Sequence, residues 1–203
     1  MLDLRPWFLT LHDLDGVVDF AKLFENEQPV ELDIGCGRGL FLVGAALEHS
    51  EVNWLGIELD YREGRHSAKK LFKRRLANAR VWGGDANVAL DAHIAPASVA
   101  AVHVYFPDPW WKRRHRRRRL FTDVFVERIA RVLQPGGLAH VWTDVGEYFE
   151  VMKALMDHSP RFDPLPPPEE KPAAHDLDYR TSFERKKRQA GCEIRRGRWR
   201  RRD

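Results

Sequence analysis

The sequence predicts an α/β fold, a mostly parallel sheet with helices on both faces, and three observations carry that expectation. Short β-rich apolar runs alternate with longer segments of helical periodicity along the 203 residues, as repeated βα units require. The first run breaks at a glycine-rich turn, Asp33-Ile34-Gly35-Cys36-Gly37-Arg38-Gly39. Five predicted strands lead into five acidic residues, Asp33, Glu58, Asp85, Asp108 and Asp144. Ligands of open α/β sheets bind in the crevice at the carboxyl ends of strands, so fold and candidate site are read from the same positions.

Strands are expected near Val30–Ile34, Trp54–Ile57, Ala79–Gly83, Val99–Phe106 and Leu138–Thr143. Between the last two, Phe121, Val124, Phe125, Ile129, Val132 and Leu133 recur at helical spacing until Gln134-Pro135-Gly136-Gly137 stops the pattern. That helix is core packing. Residues 1–28 are expected as an amino-terminal helical segment and 29–159 as the α/β core. Residues 160–178 are expected as a Pro-rich loop, since the six prolines from Pro160 to Pro172 are too many for a helix or a central strand. Residues 179–203 read as a C-terminal element of the same domain with an arginine-rich tail. A chain of this length with 43% hydrophobic composition buries one good core, so one domain is expected.

Net charge is only +4, but its distribution is uneven. Seven Lys and Arg residues crowd 112–119, and six arginines fall between Arg195 and Arg202. Local basicity of this kind is the footprint of a phosphate-binding surface or, in the bland reading, of a solvated segment. Cys36 and Cys192 lie far apart without a CxxC pattern, which argues against a disulfide framework or a zinc site. No metal is assigned, and a reducing cytoplasm is the expected location. No apolar run reaches membrane-spanning length, and the first residues lack the order of a signal peptide.

The glycine loop departs from the dinucleotide fingerprint, because Leu40 stands where that pattern needs its third glycine. Glu58 falls 19 residues past Gly39 at the end of the second strand, where a carboxylate can accept from both hydroxyls of a ribose. The loop offers no Walker lysine for phosphates, and the crevice is lined with carboxylates. A cationic, amino-bearing nucleoside suits it better than a pyrophosphate, and S-adenosyl-L-methionine is such a molecule. Asp33 then faces the ammonium, Glu58 the ribose and Asp85 the adenine edge. Alternatively, Asp33 only stabilises the loop through backbone amides.

These residues, together with Phe106-Pro107-Asp108-Pro109-Trp110-Trp111-Lys112, Leu133-Gln134-Pro135-Gly136-Gly137, Trp142-Thr143-Asp144 and Thr181-Ser182-Phe183-Glu184, make the chain similar to the bacterial tRNA (guanine-N7)-methyltransferases of the class I, Rossmann-like S-adenosylmethionine-dependent fold. The resemblance runs from about residue 30 to 185. It implies a mostly parallel seven-stranded sheet with an antiparallel last hairpin, which requires strands after Phe162. It implies that Asp33, Gly35, Gly37, Glu58, Asp85 and Asp108 bind the cofactor, with Asp108 also catalytic. Lys112, Asp144, Thr181, Phe183 and Glu184 are implied to contact the guanosine. The implied product is N7-methylguanosine in the variable loop of tRNA (position 46), made by a monomer or homodimer without metal or membrane. Another RNA, a non-RNA substrate, or a non-catalytic RNA-binding role are the alternatives.

The chemistry bears on Asp108 directly. Guanine N7 carries a lone pair outside Watson–Crick pairing, so its methylation needs alignment more than a base, and positioning can supply about 7–11 kcal/mol. The Asp108 carboxylate is expected to accept from the guanine N1–H or amine and to stabilise charge arriving on the base; Asp144 could hold the same edge. Pro107 and Pro109 restrict the backbone on either side. One of Trp110 and Trp111 is expected to stack on the base, and the basic block to contact phosphates.

Overall fold

A computed structural model describes residues 3–110, 114, 119–168, 184, 187 and 190–203. Eight strands form one sheet in the order β1-β4-β3-β2-β5-β6-β8-β7. β2 (Val30–Ile34), β3 (Asn53–Glu58), β4 (Ala79–Gly83), β5 (Val99–Tyr105) and β6 (Leu133–Thr143) are parallel. Their apolar runs reflect burial on both faces, the usual condition of parallel strands. Leu32, Leu55, Val81 and Val102 are wholly buried, and each such side chain contributes about 1.5–3 kcal/mol.

One face is covered by α4 (Ala86–Ala92), α5 (Asp123–Val132) and α6 (Gly146–His158), which bring Leu90, Phe125, Ile129 and Met152 into a common core. The other is covered by α2 (Leu40–Glu48) and α3 (Tyr61–Arg74), through Phe41, Leu42, Ala68 and Leu71. A short helix, α1 (Phe20–Phe24), adds Phe24 to the first core. Strand order reverses between β2 and β5, and a crevice opens at such a switch point.

Three expectations need correction. The sheet has eight strands, not seven, because the amino-terminal stretch is not simply helical. Its β1 (Phe8–Thr10) pairs in parallel with β4. Phe8 packs into the α2–α3 core and Leu9 against the opposite one, the two-residue alternation of a strand. Within the Pro-rich stretch, β7 (Phe162–Leu165) forms a strand despite Pro164. It is the outermost strand, where a residue without an N–H is tolerated. The strand β6 also begins at Leu133, ahead of the expected start, and its pairing with β5 jumps from Val99–Leu133 to Ala101–Leu138. Gln134 to Gly137 are accommodated as a bulge.

The arginine-rich ending is the third correction, a strand rather than a tail, and with β7 it forms the antiparallel last hairpin that the resemblance requires after Phe162. Arg195–Arg201 is β8, inserted antiparallel between β6 and β7. Trp199 is 2% exposed, and its Nε1 donates to Asp157 at 2.8 Å. A Cβ on Gly197 would lie 2.1 Å from the Trp199 ring, so only glycine leaves room for it. Most of the arginines are committed: Arg195 to Glu150, Arg196 to Glu184, Arg202 to Asp163, and Arg201 to the Leu133 carbonyl. No helix among the described residues is long and apolar enough to cross a membrane.

Candidate active site

A cleft of about 1210 Å³ opens at the switch point, and Asp33, Glu58, Asp85 and Asp108 all line it. Gly35 and Gly37 line it too. Four of the five predicted acidic strand ends are thus brought to one cavity.

The loop after β2 is tied to β3 by backbone bonds from Gly35 and Cys36 to the Ile57 carbonyl. Gly39 begins α2 at φ +68°, and a Cβ there would meet Ser67 Oγ at 2.0 Å; helix, loop and α3 close up only around glycine. Glu58 accepts from the Gly37 amide at 2.7 Å and from the Asp60 amide at 2.9 Å, joining the loop to the start of α3. Cys36 is buried, and burial followed by the neighbouring Asp33 and Glu58 pushes its thiol well up. It is a small, inert residue in the loop.

Asp33 is 3% exposed, and its Oδ2 has no hydrogen-bond partner among the described residues. Burial first, and then the Glu58 charge, raise its pKa to about 8. A buried carboxyl with an unused oxygen beside a cavity has the chemistry of a cation acceptor. Asp85 caps α4 by accepting from Asn87 N at 2.8 Å and also lines the cleft.

The opposite wall is built on the end of β5. Asp108 is exposed between Pro107 and Pro109. Phe106 and Trp110, on either side of that segment, adopt φ of +53° and +40°, a left-handed conformation that costs non-glycine residues about 1–3 kcal/mol each. Two contacts over-determine it. Phe106 N donates to the Trp142 carbonyl at 2.8 Å, and Arg119 Nε donates to the Pro109 carbonyl at 2.7 Å. The Arg119 guanidinium also lies 5.0 Å from the Tyr148 ring centroid. This last arginine of the basic block therefore turns inward as a latch instead of joining a phosphate rim. Sequence reasoning missed it because the contact spans ten residues and ends on a backbone carbonyl. Trp110 lines the cleft.

Below the cleft, His103 is buried between Glu31 (2.7 Å) and the Tyr105 hydroxyl (2.8 Å) and stacks on His140. An ionised carboxylate only accepts, so Nε2 carries the proton toward Glu31. Tyr105 lines the cleft floor. With both ring nitrogens partnered, His103 is a structural histidine of β5.

The predicted substrate contacts divide differently. Asp144, at the end of β6, does not line the cleft; it pairs with Lys187 at 2.8 Å. Glu184 is 4% exposed and pairs with Arg196 at 3.2 Å, while Arg196 lies over Trp142. These pairs tie Lys187 to the end of β6 and Glu184 to β8. Lys112, Thr181 and Phe183 lie outside the described residues, as do Trp111, Arg113 and His115 to Arg118.

Comparison with known proteins agrees with this geometry. Residues 27–196 match the family "Putative methyltransferase". The chain is 38% identical over 199 residues to a tRNA (guanine-N(7)-)-methyltransferase of Rhodopirellula baltica, covering 95% of this chain and 73% of that one. It is 36% identical to the protein of the same name from Thiobacillus denitrificans, over 77% of this chain and 69% of that one. Among solved structures, an aminoglycoside resistance methyltransferase superposes with TM-score 0.58 at 17% identity, over 90% of this chain and 91% of that one. A Thermotoga maritima O-methyltransferase gives 0.57 at 14%, over 91% and 63%; at such identities these two speak for the fold alone. With the carboxylate-lined cleft at the switch point and relatives matched along most of their length, the chain belongs to the tRNA (guanine-N(7)-)-methyltransferase family.

Proposed function

We infer that this chain methylates guanosine N7 in tRNA, taking the methyl group from S-adenosyl-L-methionine. The observation that carries the reading is the convergence of Asp33, Glu58, Asp85 and Asp108 on one cleft, in a chain of this family. Within the reading, the target is the variable-loop guanosine (position 46), and the enzyme works in the cytoplasm as a monomer or homodimer.

The donor set fits the cofactor. Asp33 offers a buried, unused carboxyl oxygen to an ammonium group, and a cation there relieves the burial that raises its pKa. Glu58 holds the loop amide of Gly37 and retains lone pairs for ribose hydroxyls. Asp85, with one oxygen on the α4 amide, presents the other toward the adenine edge. When bound, the cofactor supplies an electrophilic methyl group on a positively charged sulfur.

On the other wall, Asp108 accepts from the Watson–Crick edge of guanine and stabilises the positive charge that the base acquires. No proton leaves N7, so Asp108 acts by orientation and electrostatics. Trp110 is the described candidate for stacking on the base. Lys112, Thr181 and Phe183 are retained as guanosine contacts, while Asp144 and Glu184, paired with Lys187 and Arg196, act by positioning.

The test is transfer of labelled methyl to unmodified tRNA, followed by chemical cleavage at N7-methylguanosine. Cleavage confined to the variable loop is expected. Methyl incorporation with cleavage elsewhere would overturn the position, and absence of incorporation would overturn the substrate.

A further inference from the structure

A second basic region lies away from the two arginine runs. Between Tyr61 and Arg75 stand seven Lys and Arg residues and one acid, Glu63. This is α3, whose Ser67, Ala68 and Leu71 face inward and are buried. Arg62, Arg65, Lys69 and Lys73 follow one another at intervals of three, four and four residues, which places them along one side of the helix. Arg62, Lys69 and Lys73 are exposed, and from Arg62 to Lys73 the row extends about 16 Å at helical rise.

Three charges of this row, those of Arg62, Lys69 and Lys73, are uncompensated among the described residues. Glu63 is taken by Arg38 at 2.6 Å, and among the described residues no carboxylate pairs with Arg62, Lys69 or Lys73. On the flank of the row, Lys70 is held below the ordinary lysine range by burial and then by the nearby Arg74 and Arg38. Cation faces cation here. The C-terminal arginines differ sharply, since Arg195 and Arg196 of β8 and Arg202 just beyond it each have a carboxylate. A row of like charges of this kind favours an external polyanion over any partner within the fold.

The helix also reaches the cleft. It starts at Asp60, two residues past Glu58, and its Glu63 lines the cavity together with Arg38. Lys70 Nζ donates to the Arg38 carbonyl at 2.6 Å, so the basic helix is bonded to the loop that shapes the cofactor wall.

We propose that the outer face of α3, through Arg62, Lys69 and Lys73, binds the phosphate backbone of the tRNA while its target base occupies the cleft. The inference rests on the reading of the substrate above and adds a contact surface on the cofactor side of the cleft. It requires no base recognition: phosphate contacts fix orientation and carry the salt dependence of binding.

The experiment compares wild type with R62Q/K69Q/K73Q, full chain, with unmodified tRNA as the probe and salt as the variable. Glutamine keeps helix propensity, and an unchanged cofactor affinity checks that the fold is intact. Removing three phosphate contacts should lower the slope of log K against log salt by about two to three, and raise the KM for tRNA at low salt by about tenfold or more, with kcat at saturating tRNA unchanged. If the wild type methylates tRNA and the variant keeps both its affinity and its slope, α3 is not a contact. If the wild type methylates no tRNA, the reading of the substrate itself has failed.

Discussion

Asp33, at the end of β2, is 3% exposed with a carboxyl oxygen that bonds to nothing among the described residues. Asp108, at the end of the adjacent β5, is exposed, bracketed by prolines and held by a strained backbone that Arg119 latches from below. The first wall withholds a charge by burial until a cation arrives; the second sets a direction by backbone constraint. A buried carboxyl is suited to recognising a permanent cation, because the cation removes the cost of ionising it. An exposed but fixed carboxylate is suited to a base that arrives from solvent, because little side-chain or backbone freedom remains to be lost. The cleft is therefore divided between a wall that binds and a wall that aligns.

The largest expected effect breaks the second wall. Asp108→Asn removes the charge while keeping the shape, and kcat should fall by about 10²–10³-fold, the cost of losing one preorganised electrostatic contact. Methyl transfer to tRNA at saturating cofactor measures it.

Asp33→Asn tests the first wall. Loss of a charge-assisted hydrogen bond should weaken cofactor binding by about 10–100-fold, with a smaller change in kcat. The pH dependence sharpens this. The free protein holds a proton on Asp33 up to about pH 8, and a bound ammonium lowers that pKa, so binding releases a proton. By linkage, affinity rises with pH from about 6 toward 8 and falls above about 8, where the ligand's own α-ammonium loses its proton. Asp33→Asn should flatten the rise between pH 6 and 8, as titration calorimetry at several pH values would reveal.

Arg119→Ala leaves the Asp108 carboxylate in place but releases the Pro109 carbonyl. It should lower kcat by about tenfold through misalignment while leaving cofactor affinity unchanged. Arg119→Lys should restore little, because an ammonium does not reproduce the guanidinium that both donates and stacks on Tyr148. Equal losses in kcat and in cofactor affinity would place Arg119 in the general fold instead. The smallest effect is expected at the rim. Glu63→Gln breaks the exposed pair with Arg38 and should change cofactor affinity by about threefold or less.

The half of the fold that was legible in the sequence is the half stabilised by its own composition. Strand β4 is Ala79–Gly83 as expected, and β2 is Val30–Ile34 as expected, because apolar runs bounded by turns need no distant partner to be recognised. Strand β8 is legible only through the resemblance, which requires an antiparallel last hairpin after Phe162, and not from its composition. Its residues read Arg-Arg-Gly-Arg-Trp-Arg-Arg, and what makes them a strand is Trp199 entering the α6 core and the carboxylates of Glu150 and Glu184, which pair with Arg195 and Arg196. Strand β1, at three residues, depends on the existing edge of β4. The same division runs through the site. Acidic residues at strand ends are positioned by the strands themselves, so Asp33, Glu58, Asp85 and Asp108 were readable. The partners of Asp144 and Glu184 lie 43 and 12 residues away in the chain, and no local pattern announces them.

The division of the cleft is tested most directly by measuring, on Asp33→Asn and Asp108→Asn alongside wild type, both the cofactor dissociation constant and the single-turnover rate of methyl transfer to tRNA with cofactor saturating. The account predicts crossed effects: Asp33→Asn weakens cofactor binding with the rate largely kept, and Asp108→Asn slows transfer by at least about 10²-fold with binding largely kept. Parallel losses in both quantities for both variants, or wild-type transfer by Asp108→Asn, would contradict it.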